Sequence, residues 1–201
     1  MGRVMKDSGI EWIGEIPEGW DCVKLKYMAN LKTGTTPSST QMQYFEGDFN
    51  WYTPGDFTED IILKESSRKL HSTVISDNQV PLFPANSILI IGIGATTGKI
   101  GYTNFESSSN QQITAIMPKT NIQSKYLMYW LISIVDFIKG TTLFTTLPIL
   151  NNQALGSVLC LQPQLAEQQA IANYLDTKCS IIDSTIEKQK AIIEKMLDSN
   201  I

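Results

Sequence analysis

The segment ILIIGIGATTGKIGYT, residues 88–103, has the composition of a phosphate-binding loop, because an apolar run ends in glycines and a lysine. A P-loop needs the pattern G-x-x-x-x-G-K-[ST], in which backbone amides cradle the phosphates and the lysine contacts them. Counting back from Gly98 and Lys99 places Ile93 at the first required glycine and Ile100 at the required hydroxyl. Both positions fail, so the segment does not match a P-loop.

The same glycines could also belong to a glycine-rich motif that binds a cofactor. The dinucleotide fingerprint G-x-G-x-x-G is incomplete, because Thr97 follows Gly92 and Gly94 at the third glycine position and Gly98 comes one place late. An S-adenosylmethionine site can also use a glycine-rich strand end, which leaves open a small methyltransferase that uses the Gly92–Gly94 turn. No N/D-P-P-Y/F/W tetrapeptide of an amino-methyltransferase is present. We predict a strand–turn–strand without a cofactor, in which Gly94 and Gly98 supply backbone freedom.

Other catalytic and metal-binding patterns are weak. His71 is the only histidine, which excludes a multi-histidine metal site, and no G-x-S-x-G element supports a serine triad. The three cysteines, Cys22, Cys160 and Cys179, lack metal-knuckle spacing and are odd in number. We expect no catalytic residue, no metal, and a protein of the reducing cytoplasm.

The remaining functional candidates are polar, weakly basic loops that contain aromatic residues. Asn, Gln, Arg and Lys read base edges, whereas Ser and Thr contact phosphates, although ordinary surface loops share this composition. The net charge of -4 argues against a generally basic nucleic-acid binder, so any DNA-binding surface has to be local. The candidate DNA-binding residues are Lys32, Thr33, Thr35, Thr36, Ser38, Ser39, Gln41, Lys64, Arg68, Lys69, His71, Lys99, Asn110 and Gln111.

In the part of the chain up to about residue 161, short strands and helices must position these loops. Apolar runs of about four to seven residues alternate with turn-forming stretches, as in a mixed α+β domain. We predict strands at Ser87–Ile93, Lys99–Tyr102 and Ile113–Met117 and a helix at Ser124–Lys139. No apolar run is long enough to suggest a membrane span.

The composition changes after Pro163, because glycine and proline are absent from there to the end. Apolar residues recur at alternating steps of three and four, which predicts a coiled-coil helix of about four heptads and about 50 Å. We expect this seam to pair with a partner helix; the alternative is a helix that caps its own domain. The seam residues are Leu165, Ala172, Leu175, Cys179, Ile182, Ile186, Ile193 and Met196.

Several separated segments resemble, in order, parts of the specificity subunits of type I restriction-modification systems. They are IEWIGEIPEGWDCVKLK at 10–26, TGTTPSS at 33–39, WYTPGDF at 51–57, GATTGKIGY at 94–102, SSNQQITAI at 108–116, and QPQLAEQQAIANYLD at 162–176 followed by IIDSTIEKQKAIIEKM at 181–196. Gln164 departs from the family pattern where a proline is usual, and the turn has threonine where an aliphatic residue is usual.

The resemblance implies an α+β fold: a target recognition domain over residues 1–162, with a mixed, partly barrel-like β-sheet and a few helices, followed by one long C-terminal coiled-coil helix over 163–201. It implies that the recognition domain binds one half of a bipartite target in double-stranded DNA and performs no chemistry. The long helix then serves dimerisation, spacing and docking of methyltransferase (modification) subunits, and the complex brings in the restriction/translocase subunit.

A full subunit of this family has two recognition domains and two such helices, whereas this chain has one of each. We therefore expect a homodimer through antiparallel helices that reads a split, palindromic site. The chain as the front half of a longer subunit is the alternative. A coiled-coil adaptor without a DNA role is the remaining alternative to DNA recognition.

Overall fold

A computed structural model describes residues 3–141 and 150–198. The strands are β1 (Met5–Asp7), β2 (Glu15–Pro17), β3 (Asp21–Lys24), β4 (Ala29–Thr33), β5 (Phe49–Tyr52), β6 (Ile62–Leu63), β7 (Lys69–Leu70), β8 (Ser87–Ile91), β9 (Ile100–Thr103), β10 (Ser107–Ser109), β11 (Ile113–Pro118) and β12 (Leu159–Gln162). The helices are α1 (Leu25–Met28), α2 (Thr73–Ser76), α3 (Ser124–Thr141), α4 (Asn152–Ser157) and α5 (Leu165–Asp198).

The largest sheet has the order β4-β11-β8-β9-β6. Its pairs are antiparallel except for β6 and β9, which are parallel, so the sheet is mixed as predicted. Strands β8, β9 and β11 and helix α3 confirm the predicted elements to within two residues. The α+β class is therefore confirmed, and the partly barrel-like character of the sheet stays a prediction.

Strand β8 lies at the centre of the core and is buried along its whole length. Side chains alternate between the faces of a strand. Ile88 and Ile90 pack in the cluster that contains helix α3, whereas Leu89 and Ile91 pack with Tyr52 on the other face. Because both faces are covered, the sequence of this strand is a continuous apolar run rather than an alternating one.

A smaller sheet, β10-β5-β7, lies beside the large one and carries the polar loops. Trp51 on β5 is buried, and its backbone N–H donates to the Ser66 hydroxyl at 2.9 Å and to the Arg68 carbonyl at 3.3 Å. Two further pairs, β1-β2 and β12-β3, complete the sheets of the described residues. The pairing of β12 with β3 places the beginning of α5 beside the N-terminal part of the domain.

The glycine-rich segment is a turn between the antiparallel strands β8 and β9, as predicted. Gly94 and Gly98 have φ angles of 116° and 88°, which disfavour any residue with a side chain. The Gly98 N–H donates to the Ile91 carbonyl at 2.8 Å and closes the turn. The predicted backbone role of these two glycines is confirmed.

Helix α5 is confirmed as one helix of 34 residues, about 51 Å long. One predicted seam residue is corrected, because Ala172 is fully buried in its own domain and cannot contact a partner. Leu175 and Cys179 are half-buried, since this part of α5 packs beside α3. The exposed seam residues are Leu165, Ile182, Ile186, Ile193 and Met196. Within the described ranges, no helix is long and apolar enough to cross a membrane.

Candidate nucleic-acid interface

Three segments that are distant in sequence meet at one edge of the large sheet. The register of β4 with β11 places Thr33 opposite Thr114, and their hydroxyls lie 3.1 Å apart. Both hydroxyls donate to Oδ1 of Asn152 at the beginning of α4, at 3.2 and 3.0 Å. The end of β4, the beginning of β11 and the beginning of α4 are therefore joined by one polar network.

The loop after β4 is held against this edge by its backbone. The Thr35 N–H donates to the Ser109 carbonyl at 2.8 Å, and the Trp51 indole N–H donates to the Thr35 carbonyl at 3.1 Å. The Thr36 hydroxyl donates to Oε1 of Gln111 at 2.7 Å. Thr35 is thus fixed through its backbone, and Thr36 supports the side chain of Gln111.

The turn 110–112 presents Gln111 outward. The side chain of Asn110 accepts from the Gln112 N–H at 3.1 Å and donates to Oε1 of Gln112 at 2.9 Å. The Asn110 N–H donates to the Tyr52 carbonyl at 3.0 Å, so both the backbone and the amide of Asn110 are used within the fold. Gln111 between them is exposed. Asn110 therefore orders the turn, and Gln111 is the residue that faces solvent.

We call Gln111, Gln112 and Asn152 with the hydroxyls of Thr33 and Thr36 the amide cluster. Most of it borders a hollow of about 260 Å³ at this edge. The Nε2 of Gln111 and the Nδ2 of Asn152 donate to no partner among the described residues. Side-chain amides combine a donor and an acceptor, which is the chemistry that matches the edge of a base pair in the major groove.

The DNA-binding residues predicted from the sequence differ in their relation to the amide cluster. Thr33, Thr36 and Gln111 belong to it, whereas Thr35 and Asn110 support it. Gln112 and Asn152 were missed, although the run of amides at 151–153 was an available signal. The remaining candidates on β4 and along the following loop are exposed and form no hydrogen bond with the cluster among the described residues: Lys32, Ser38, Ser39 and Gln41.

The basic candidates do not join the amide cluster. Three of them have an acidic partner: Lys64 with Asp60 at 3.1 Å, Lys69 with Glu65 at 2.6 Å and Lys99 with Glu59 at 3.7 Å. His71 is exposed and its Nδ1 pairs with the Thr73 hydroxyl at 2.9 Å. These ion pairs reduce the local positive charge that composition alone indicates.

Arg68 differs from the other basic candidates. Its carbonyl accepts from the Ser66 hydroxyl at 2.6 Å, which fixes the backbone, while its side chain is exposed and forms no ion pair among the described residues. The same segment is tied to the domain by Asp56, which accepts from the Ser67 N–H at 2.7 Å. Partial burial acts to raise the pKa of Asp56, but hydrogen bonds from Ser67 and Thr53 outweigh it and lower the pKa. Asp56 therefore stays ionised as an acceptor.

The glycine turn offers little to a phosphate or a methyl-donor cofactor. The N–H groups of Thr97, Gly98 and Lys99 all donate to carbonyls of the chain itself. Gly92 is also covered, because its N–H donates to the Gln112 carbonyl and an added Cβ would lie 2.9 Å from the Leu150 carbonyl oxygen. The methyltransferase alternative is therefore not favoured. The hollow of about 410 Å³ beside the turn is lined by residues 58–61 and 95–100 and by α3.

Metal and thiol chemistry also lack a site in the described part of the chain. No group of three or more His, Cys, Asp or Glu residues there is arranged to hold a metal ion. Burial raises the pKa of the Cys160 thiol to about 12, which suppresses its thiolate form.

Comparison with known proteins agrees with this architecture. A family model described as the type I restriction modification DNA specificity domain matches residues 17–195. The specificity subunit of the type I restriction enzyme MjaIX of Methanocaldococcus jannaschii is 30% identical over 188 residues, which cover 92% of this chain and 43% of that subunit.

Two solved structures share the fold. The HsdS subunit of Thermoanaerobacter tengcongensis matches with a TM-score of 0.65 at 20% identity, over 90% of this chain and 41% of that chain. The S subunit of a type I restriction-modification system from M. genitalium matches with a TM-score of 0.56 at 19% identity, over 87% of this chain and 42% of that chain. This chain spans less than half the length of each of these relatives. It belongs to the family of type I restriction modification DNA specificity domains.

Proposed function

We propose that this chain is a sequence-specific DNA-recognition subunit that binds one half of a bipartite target in a type I restriction-modification complex. The observation that carries the proposal is the amide cluster, in which the exposed side chains of Gln111 and Asn152 are held by the hydroxyls of Thr36, Thr33 and Thr114. Family membership supports the same function. In this proposal the chain performs no chemistry and works in the cytoplasm, where its three free thiols are kept reduced.

The proposed division of labour follows the chain. In this proposal residues 1–162 are the recognition domain, and the segment 163–201, which contains α5, serves dimerisation, spacing and docking. Methyltransferase subunits are the proposed direct partners, and the restriction/translocase subunit joins through the complex. The relatives named above are specificity subunits of about twice this length, which supports the need for a second recognition domain.

We propose that the second domain comes from a second copy of this chain through antiparallel α5 helices. The supporting observation is a stripe of exposed apolar side chains on α5: Ile182, Ile186 and Ile193 are 45–56% exposed. Such a stripe is unfavourable in water and is the pattern of a coiled-coil seam. If the chain is part of a longer subunit, the same stripe pairs with a helix of that subunit.

The direct test of DNA recognition is selection of bound sequences from a random DNA pool, with the chain and its methyltransferase partner. The wild-type complex is expected to enrich a split sequence. Gln111→Ala is expected to relax selection at one position of each half-site, with about a tenfold loss of preference, because one base-edge contact contributes about 1–3 kcal/mol. Overall DNA affinity is expected to fall much less.

The matched control for Gln111→Ala is Gln169→Ala, which removes an exposed amide on α5, far from the amide cluster. The control is expected to enrich the wild-type sequence. Enrichment of no sequence by the wild-type complex would leave the coiled-coil adaptor as the better reading. An unchanged sequence with Gln111→Ala would remove Gln111 from the base-reading set.

Arg68 is expected to contact a DNA phosphate rather than a base. Arg68→Ala should weaken binding several-fold on every sequence and reduce the slope of log K against log salt by about one, because one fewer counterion is released. Binding titrations between about 50 and 200 mM salt measure this slope. Lys119→Ala, at the opposite end of β11 from the amide cluster, is the control and should keep the wild-type slope. Equal slopes for all three proteins would place Arg68 outside the interface.

A further inference from the structure

Helix α5 consists of an anchored part, which packs on the domain, and an exposed part. From Leu165 to Cys179 several side chains are buried or half-buried, and Ala172 and Gln168 are almost fully buried. From Ser180 to Met196 every residue is exposed. We call residues 180–198 the arm; it is about 28 Å long. Only the anchored part can determine the direction in which the arm leaves the domain.

The first anchor is the beginning of α5. Oε1 of Gln168 accepts from the Gln123 N–H, just before α3, at 2.9 Å, and its Nε2 donates to the Pro163 carbonyl at 2.9 Å. Gln168 is 1% exposed, so losing either bond would leave a buried polar group unpaired. The neighbouring Glu167 accepts from the guanidinium of Arg3 and, at 2.8 Å, from the indole N–H of Trp20. These contacts fix the position of the first turn.

The second anchor is Asp176, eight residues farther along the helix. Its Oδ2 lies 2.6 Å from Nζ of Lys125, and its Oδ1 accepts from the hydroxyl of Tyr129 at 2.8 Å. Lys125 and Tyr129 are one turn apart on α3, so both carboxylate oxygens are held from the same side. Burial and the hydrogen bond to Asp176 raise the pKa of Tyr129, which keeps its hydroxyl available as a donor. Cys179, about one turn farther along α5, also interacts with the Tyr129 hydroxyl.

Two anchors fix a direction, whereas one anchor permits a pivot. Gln168 and Asp176 are about 12 Å apart along the helix, and Met196 lies about 42 Å from Gln168, at about 1.5 Å per residue. A sideways displacement of about 1 Å at Asp176 therefore becomes about 3.5 Å at Met196 by simple leverage. One base-pair step of DNA is about 3.4 Å, so small movements at this anchor are comparable to a whole step.

We propose that Asp176, held by Lys125 and Tyr129, is a positioning residue that determines which spacing between half-sites the dimer accepts, without touching DNA. The inference rests on the proposed function, because spacing has a meaning only if two copies read two half-sites. The anchor makes the angle between recognition domain and arm a fixed property of each copy. Without the anchor this angle varies, and the two recognition domains can then lie at several different separations.

The test uses Asp176→Ala and the control Ser184→Ala, eight residues later on the exposed arm and on the side of the helix away from the seam. Alanine favours the helix, so neither change is expected to unwind it. Binding is measured on DNAs that carry two half-sites with spacers varied by single base pairs, and on DNA with one half-site. The wild type and Ser184→Ala should prefer one spacer length. Asp176→Ala should lose about fivefold of that preference over adjacent lengths, with unchanged affinity for a single half-site.

Two further variants separate positioning from a general loss of structure. Tyr129→Phe removes one hydrogen bond and keeps the ring, so it should broaden the spacer preference less than Asp176→Ala. Lys125→Arg keeps a cation at the anchor and should therefore retain a spacer preference close to that of the wild type. A sharp wild-type preference that Asp176→Ala retains would overturn this inference alone. A wild-type chain that selects no half-site would overturn the proposed function and this inference with it.

Discussion

Replacing Ile186 and Ile193 together with glutamate is expected to dissociate the proposed dimer and to raise its dissociation constant by about 10³-fold or more. Each isoleucine contributes about 1.5–3 kcal/mol when buried, and a two-fold interface contains each of them twice. A glutamate at these positions also brings unpaired charge into the seam. Static light scattering or sedimentation over a dilution series measures the change, and the variant should be a monomer where the wild type is a dimer.

The arm offers a matched control for this double substitution. Ser184 and Ala191 are also seven residues apart and lie about 200° around the helix from Ile186 and Ile193, since each residue turns the helix by about 100°. Ser184→Glu with Ala191→Glu adds the same charge and should leave the dimer intact. Equal weakening by both double variants would point to charge rather than to the seam. A wild-type monomer at micromolar concentration would rule out pairing of two copies.

Gly34→Ala is the second change with a large expected effect. A Cβ at Gly34 would collide with the side chain and carbonyl of Ser109 and would lie 2.5 Å from the Asn110 carbonyl oxygen. These are mainly backbone atoms of β10 and the following turn, which cannot rotate away. The loop after β4 must then move from the edge, so we expect a loss of about 1–3 kcal/mol of unfolding free energy. Loss of sequence-selective DNA binding should accompany it.

Thermal or denaturant unfolding measures the stability part of this prediction, and the random-pool selection measures the binding part. Gly19→Ala is the control, because a Cβ there meets no atom within 4 Å and its backbone does not require glycine. It should leave both measurements unchanged. A Gly34→Ala protein with wild-type stability and selection would show that the contact with Ser109 can relax without consequence.

Local patterns were sufficient to predict the most regular elements but not the site. The apolar run of β8, the glycine turn and the long periodic segment of α5 each depend on neighbours in sequence, and each appears where it was predicted. The partial burial of α5 was not predicted, because the helical period identifies an apolar face without identifying what covers it. The face of Ala172 is covered by the domain itself rather than by a partner.

The amide cluster illustrates what composition cannot predict. Thr33, Thr114 and Asn152 are far apart in the sequence and meet only because β4 and β11 pair in one particular register. A shift of one strand by one residue would turn its threonine to the other face and separate the two hydroxyls. The basic candidates failed to gather for a related reason, since the pairing of Lys99 with Glu59 exists only after folding.

The hydrogen bonds at the recognition edge separate two kinds of residue that evolution can treat differently. The backbone of Thr35 and the backbone and side chain of Asn110 hold the loops, whereas the exposed side chain of Gln111 has one hydrogen bond within the described residues, from the Thr36 hydroxyl. Exposed substitutions away from such ties usually change folding stability by less than about 0.5 kcal/mol. New side chains can therefore be sampled at Gln111 with little risk to the fold, so that, in the proposed function, the base preference of this edge can change while its framework stays the same.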